Sequence, residues 1–149
     1  ESKTAYENLS KILGSPSSKL LTGIVVGRSD LTKSFGYGKQ DVTSPKMCEV
    51  VTDILKQSKK YGFKTLMGGN VGSSSINFIK NLYSNKLLNN IETRNVIIDL
   101  DKVDIDNLDE LIKNALFFES NWLNYKAEYY NKIGNKYIKR SKTILDRIS

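Results

Sequence analysis

The chain has 149 residues, 39% of them apolar, enough for one hydrophobic core without disulfide or metal staples. Its single cysteine, Cys48, excludes an internal disulfide, and no apolar run has the length of a membrane span, so composition predicts a soluble cytoplasmic protein. The formal charge of +7 raises nucleic-acid binding as a function class. The excess is uneven, however: Lys126, Lys132, Lys136, Lys139, Arg140, Lys142 and Arg147 stand against Glu128 and Asp146 near the end of the chain. A basic helical tail can neutralise phosphates, but this pattern fits a solvated helix face better.

Residues 4–13 place Ala5, Leu9, Ile12 and Leu13 at helical spacing, and Gly14-Ser15-Pro16 ends the run. Gly23-Ile24-Val25-Val26-Gly27 is a β-branched run between glycines and predicts a strand buried on both faces. Residues 28–43 are polar, contain Gly36 and Gly38, and read as a long loop. Ser44-Pro45 then opens a helix, with Ser as N-cap and Pro at the first position, where a missing N–H costs nothing. Met47, Val50, Val51, Ile54 and Leu55 form its inner stripe, and Cys48 is assigned to the core beside them.

A second strand is predicted over residues 63–67, followed by the turn Gly68-Gly69-Asn70, and a helix over residues 73–83. Residues 95–100, Asn-Val-Ile-Ile-Asp-Leu, read as a third buried strand, with Glu92-Thr93-Arg94 just before it. That placement puts a Glu92–Arg94 ion pair at the stabilising end of the sheet, away from any chemistry. The remainder is helical: Asn107 and Glu110 have capping-box spacing, and Gly134 is expected to break the helix. Residues 107–149 are thus read as C-terminal helices. No internal repeat or low-complexity linker interrupts the chain.

Strands alternating with helices predict an α/β fold whose parallel strands are joined by right-handed crossovers. Chemistry in such folds sits beyond the carboxyl ends of the strands. The first such end is Gly27-Arg28-Ser29-Asp30-Leu31. A carboxylate there can ligate a hard cation, and successive amides beside a glycine can form an anion-binding concavity. The same residues also fit an ordinary turn and helix start. The chain contains no histidine, which excludes Ser–His and Cys–His nucleophile pairs and His-based zinc sites. Trp122, Phe117, Phe118, Tyr125, Tyr129 and Tyr130 make the last helix aromatic-rich, as core or as a subunit-contact surface.

The ordered set of these segments resembles the HpcH/HpaI aldolase/citrate lyase family of the phosphoenolpyruvate/pyruvate barrel superfamily. Residues 1–9, Glu-Ser-Lys-Thr-Ala-Tyr-Glu-Asn-Leu, look like the family segment in which a strand ends in a metal-binding Glu and leads into a helix. Gly23 through Leu31, with Ser34-Phe35-Gly36, resembles the next strand and its metal-binding Asp. Gly68-Gly69, the stretch Ile91-Glu92-Thr93-Arg94-Asn95-Val96 and the aromatic helix follow in matching order. No single motif is strong, and the match spans the whole chain but only the second half of the family's barrel.

The resemblance implies the second half of a (β/α)8 TIM-type barrel, a single partial domain over residues 1–149 with a long C-terminal helical segment. It implies a divalent-metal-dependent carbon–carbon lyase acting on a keto acid or acyl-CoA through a metal-stabilised enolate. Glu1 and Asp30 would ligate Mg²⁺ or Mn²⁺, and the Ser29 and Asp30 amides beside Gly27 would face the substrate carboxylate. Family members often have Pro where this chain has Arg28, which leaves the substrate open. An oxyanion-neutralising Arg and a His-linked base belong to the first half, so the isolated chain is expected to be inactive and to need that half or a complementary chain. A homo-oligomer through the last helix is also implied. A non-catalytic half-barrel binding module is the alternative, ahead of nucleic-acid binding.

Overall fold

A computed structural model of the chain describes residues 1–148. They divide into two compact units, Glu1–Ala115 and the segment from Leu116 onward. The first unit contains a four-stranded open sheet in sequence order: β1 (Gly23–Gly27), β2 (Lys64–Gly68), β3 (Asn90–Glu92) and β4 (Ile97–Asp99). β1 pairs with β2 and β2 with β3 in parallel; β3 and β4 are antiparallel. The fold is therefore mixed α/β with a mostly parallel sheet and a long C-terminal helix.

Burial alternates along the strands because successive side chains point to opposite faces. Val26, Met67, Ile91 and Ile98 are buried in one row, whereas Val25 and Ile97 on the other face are 49% and 62% exposed. The strands are thus buried on one face only, which corrects the expectation of burial on both. The β-branched run of β1 is equally compatible with either state, since periodicity is absent from it.

Helices cover the buried face. α4 (Pro45–Lys60) packs on β1 and β2. It starts where Ser44 Oγ accepts the Met47 N–H, with Pro45 at the first position, and buries Met47, Val50, Val51, Ile54 and Leu55 as its spacing predicts. α5 (Ile76–Ser84), preceded by a 3-10 turn over Ser73–Ser75, buries Ile79 and Leu82. The expected helix over residues 4–13 is two five-residue helices, α1 (Lys3–Glu7) and α2 (Leu9–Leu13), divided at Asn8.

Four other expectations change. The polar stretch after β1 is not a loop: α3 (Arg28–Ser34) begins directly at the strand end, and a 3-10 turn covers Lys39–Thr43. The strand expected over residues 95–100 is present as β4, but it runs antiparallel as the second arm of a short hairpin with β3, closed by the Thr93 N–H donating to Val96 O at 2.9 Å. α6 runs from Leu108 to Leu145 without a break at Gly134, because one glycine costs only about 1 kcal/mol in a helix that long. At its start, Asn107 donates its side-chain amide to Asp104 rather than completing a capping box with Glu110. Leu108, Ile112 and Ala115 anchor its first turns in the core of the first unit. Among the described residues, no helix is long and apolar enough to cross a membrane.

Candidate functional site

The carboxyl ends of β1, β2 and β3 lie side by side, with Gly27 paired to Gly68. Both glycines are in phase with Val25 and Leu66, so their missing side chains would point to the open face of the sheet. That space is taken by carboxylates. A Cβ on Gly27 would overlap the Glu1 carboxylate, and one on Gly68 would come within 2.6 Å of Glu92 Oε1. The two glycines therefore form a floor on which two acidic side chains lie, one from the segment before α1 and one from the end of β3.

Glu92 is the main positional correction. Sequence order alone places it at the amino, stabilising end of the sheet, ahead of a third parallel strand over residues 95–100. In the fold, β3 precedes that segment, and Glu92 ends it beside Gly68. Neither Glu92 nor Arg94 forms an ion pair with any described residue. The polar network at the amino end is a different one: Asn89 Oδ1 accepts from Lys59 Nζ and from the Thr65 N–H, and Thr65 Oγ1 donates to Leu87 O.

Asp30 occupies the first turn of α3 and is exposed, with no hydrogen bond or ion pair to any described residue. Glu1 is likewise exposed and unpaired by a cation. Gly27, Ser29 and Asp30 follow one another across the end of β1 and the start of α3. Gly69, in the left-handed region at φ +81°, presses against this corner: a Cβ there would come within 2.5 Å of the Ser29 amide nitrogen and 2.7 Å of that of Arg28. Only glycine fits, because both the dihedral and the closeness exclude a side chain. Asn70 follows at φ +53°, so Gly68-Gly69-Asn70 is the tight turn its sequence predicts.

Arg28 was noted in the sequence only as a departure from proline; its location shows a structural role. It lies in phase with Ile24 and Val26, points to the helix-covered face, and is fully buried. Its Nε donates to Gly68 O at 3.4 Å, and Nη2 donates to Asn70 O at 3.1 Å and Ser75 Oγ at 2.9 Å. The guanidinium thus ties the β1–α3 corner to the β2–α5 turn. Among the described residues no carboxylate pairs with it, and Nη1 is buried without a partner. Burial lowers its pKa from the ordinary guanidinium range to about 10, a shift opposed by proximity to Cys48. The i, i+2, i+4 pattern of Ile24, Val26 and Arg28 was the signal available for this.

Cys48 is half-buried and donates to Thr43 O at 3.6 Å, and burial pushes its thiol pKa up. That is opposite to what a nucleophile needs.

Glu1 and Asp30 are both oxygen donors, exposed and without an ion pair to any described residue, so their chemistry suits a hard divalent ion. The room over Gly27 lets the Glu1 side chain lie along the strand end. Among the described residues, no group of three or more His, Cys, Asp or Glu side chains gathers as a metal cluster. Two carboxylates would leave several positions for substrate and water on an octahedral ion. Comparison with family models, curated proteins and solved structures gives no match.

Proposed function

We propose that this chain is the catalytic second half of a TIM-type barrel acting as a carbon–carbon lyase of the HpcH/HpaI aldolase/citrate lyase kind, on a keto acid or acyl-CoA. The observation that carries the reading is the Glu1 carboxylate lying over Gly27 at the carboxyl end of β1, with Asp30 in the first turn of the helix that follows. The parallel order of β1, β2 and β3, with helices on one face only, supports a barrel wall whose open face would be the lumen. Further strands, from the first half of the barrel or a complementary chain, would close it.

In this reading Glu1 and Asp30 hold Mg²⁺ or Mn²⁺. When bound, the ion supplies Lewis-acid stabilisation for negative charge developing on the substrate oxygens. The amides of Ser29 and Asp30, beside Gly27, receive the substrate carboxylate, and the absence of a side chain at Gly27 lets the substrate approach the backbone. Arg28 does not touch substrate; it keeps the β1–α3 corner and the Gly69 turn in register beneath it. The proton-transferring base and the oxyanion-neutralising Arg come from the completing strands.

The test is turnover in the completed barrel. Release of pyruvate, acetate or glyoxylate should require Mg²⁺ or Mn²⁺ and should be abolished in Asp30→Ala. Normal turnover by Asp30→Ala, or cleavage indifferent to chelation, contradicts the assignment.

A further inference from the structure

The unit beginning at Leu116 carries a regularity that the lyase reading does not use. Large apolar residues recur every seven positions, at Leu116, Leu123, Tyr130, Tyr137 and Ile144. Four positions after each of the first four stands a small residue: Ser120, Ala127, Gly134 and Ser141. Positions i, i+4 and i+7 share one helix face, so α6 presents a ridge of large side chains beside a shelf of small ones. The ridge is bare: Leu123, Tyr130 and Tyr137 are 55%, 63% and 71% exposed.

Gly134 is the second observation. A glycine inside a helix weakens it, and among the described residues none calls for one: a Cβ would meet no atom within 4 Å. Open space at a glycine is what close approach of another backbone would require.

Charge selects the partner and its direction. Over residues 116–128 the ionised side chains are Glu119, Lys126 and Glu128; over residues 132–147 six basic residues stand against Asp146 alone. Two such helices side by side in parallel would set basic half against basic half. Antiparallel, each basic half meets the acidic half of the other.

We propose that residues 116–145 pair antiparallel with the same segment of a second copy of this chain, on a two-fold axis at Tyr130. In that register Leu116 opposes the partner's Ile144, Leu123 opposes the partner's Tyr137, and Glu119 comes beside the partner's Arg140. The small shelf receives the facing backbone, and the interface is isologous. Over the roughly 45 Å of a 30-residue helix, the ridge stays in contact because its period is seven. The inference rests on the helix alone and stands apart from the lyase assignment.

The experiment is sedimentation equilibrium of the full chain, with single-cysteine cross-linking in a Cys48→Ser background. The expected mass is twice 16.8 kDa. Gly134→Leu, which strengthens helix propensity and meets nothing within its own chain, should weaken the dimer at least tenfold while the helical circular dichroism is retained. Glu119→Lys should weaken it too, and adding Arg140→Glu should restore it. Tyr130→Cys should cross-link to itself. Leu116→Cys should not, yet should cross-link when mixed with Ile144→Cys. A monomer at every concentration, a dimer indifferent to Gly134→Leu, or self-cross-linking of Leu116→Cys would each overturn the proposal.

Discussion

Removing a guanidinium from water without giving it a carboxylate is costly, and Arg28 meets that cost only partly through three acceptors around the β2–α5 turn. Arg28→Ala should destabilise the chain by about 2–4 kcal/mol, because it leaves a cavity, strips Ser75 Oγ of its donor and leaves Asn70 O to the Ser75 hydroxyl 3.4 Å away. Urea unfolding measures this. The pH dependence has a definite sign. Below pH 10 the group is charged in both states, and burying that charge opposes folding in full. As pH rises through about 10 the folded form loses its proton while the unfolded form, with an ordinary guanidinium pKa well above that, keeps it. The unfolded state then binds more protons, so this contribution to stability rises with pH. The stability difference between wild type and Arg28→Met should therefore move in favour of wild type above pH 10, and a difference flat to pH 11 would contradict it. At Cys48 the raised thiol pKa predicts alkylation at pH 8 slower than that of a free cysteine peptide.

At the scale of elements, the turn after β2 is set by one residue. Gly69→Ala combines a left-handed dihedral with overlap of the Arg28 and Ser29 amides and should cost about 2–3 kcal/mol by thermal or urea unfolding. Ser44→Ala, which removes only the cap of α4, should cost about 1 kcal/mol. These elements also show what was legible. β1 and α4 announce themselves through glycine bounds, β-branching, a Ser-Pro start and a 3.6-residue stripe. β3 does not: Asn90-Ile91-Glu92 offers one apolar residue and owes its strand state to pairing with β2 and β4. The apolar run after it, Val96-Ile97-Ile98, drew the parallel-strand assignment to the wrong arm of the hairpin and carried Glu92 to the wrong end. α3 was hidden because Arg28, a charged residue, occupies a core position that a periodicity search reserves for apolar side chains.

For the molecule as a whole, the sheet has one packed and one open face. Val25 and Ile97 contribute little to the stability of the chain itself, so Val25→Thr and Ile97→Thr should each change its unfolding free energy by less than about 0.5 kcal/mol. In the barrel we propose, the same substitutions should be several-fold more damaging, because that face would line the lumen. Of the expected carboxylate pair, the sequence supplied the residues through a family resemblance, whereas the glycine floor under Glu1 and Glu92 depended on strand register, which no local pattern encodes. On the proposed reading Glu1 and Asp30 hold a divalent ion, which Mn²⁺ titration followed by electron paramagnetic resonance on wild type, Glu1→Gln and Asp30→Ala would detect. One bound Mn²⁺ per chain, with affinity falling at least about tenfold in either variant, is the predicted result. Equal affinity in all three proteins, or no binding at millimolar Mn²⁺, would contradict it.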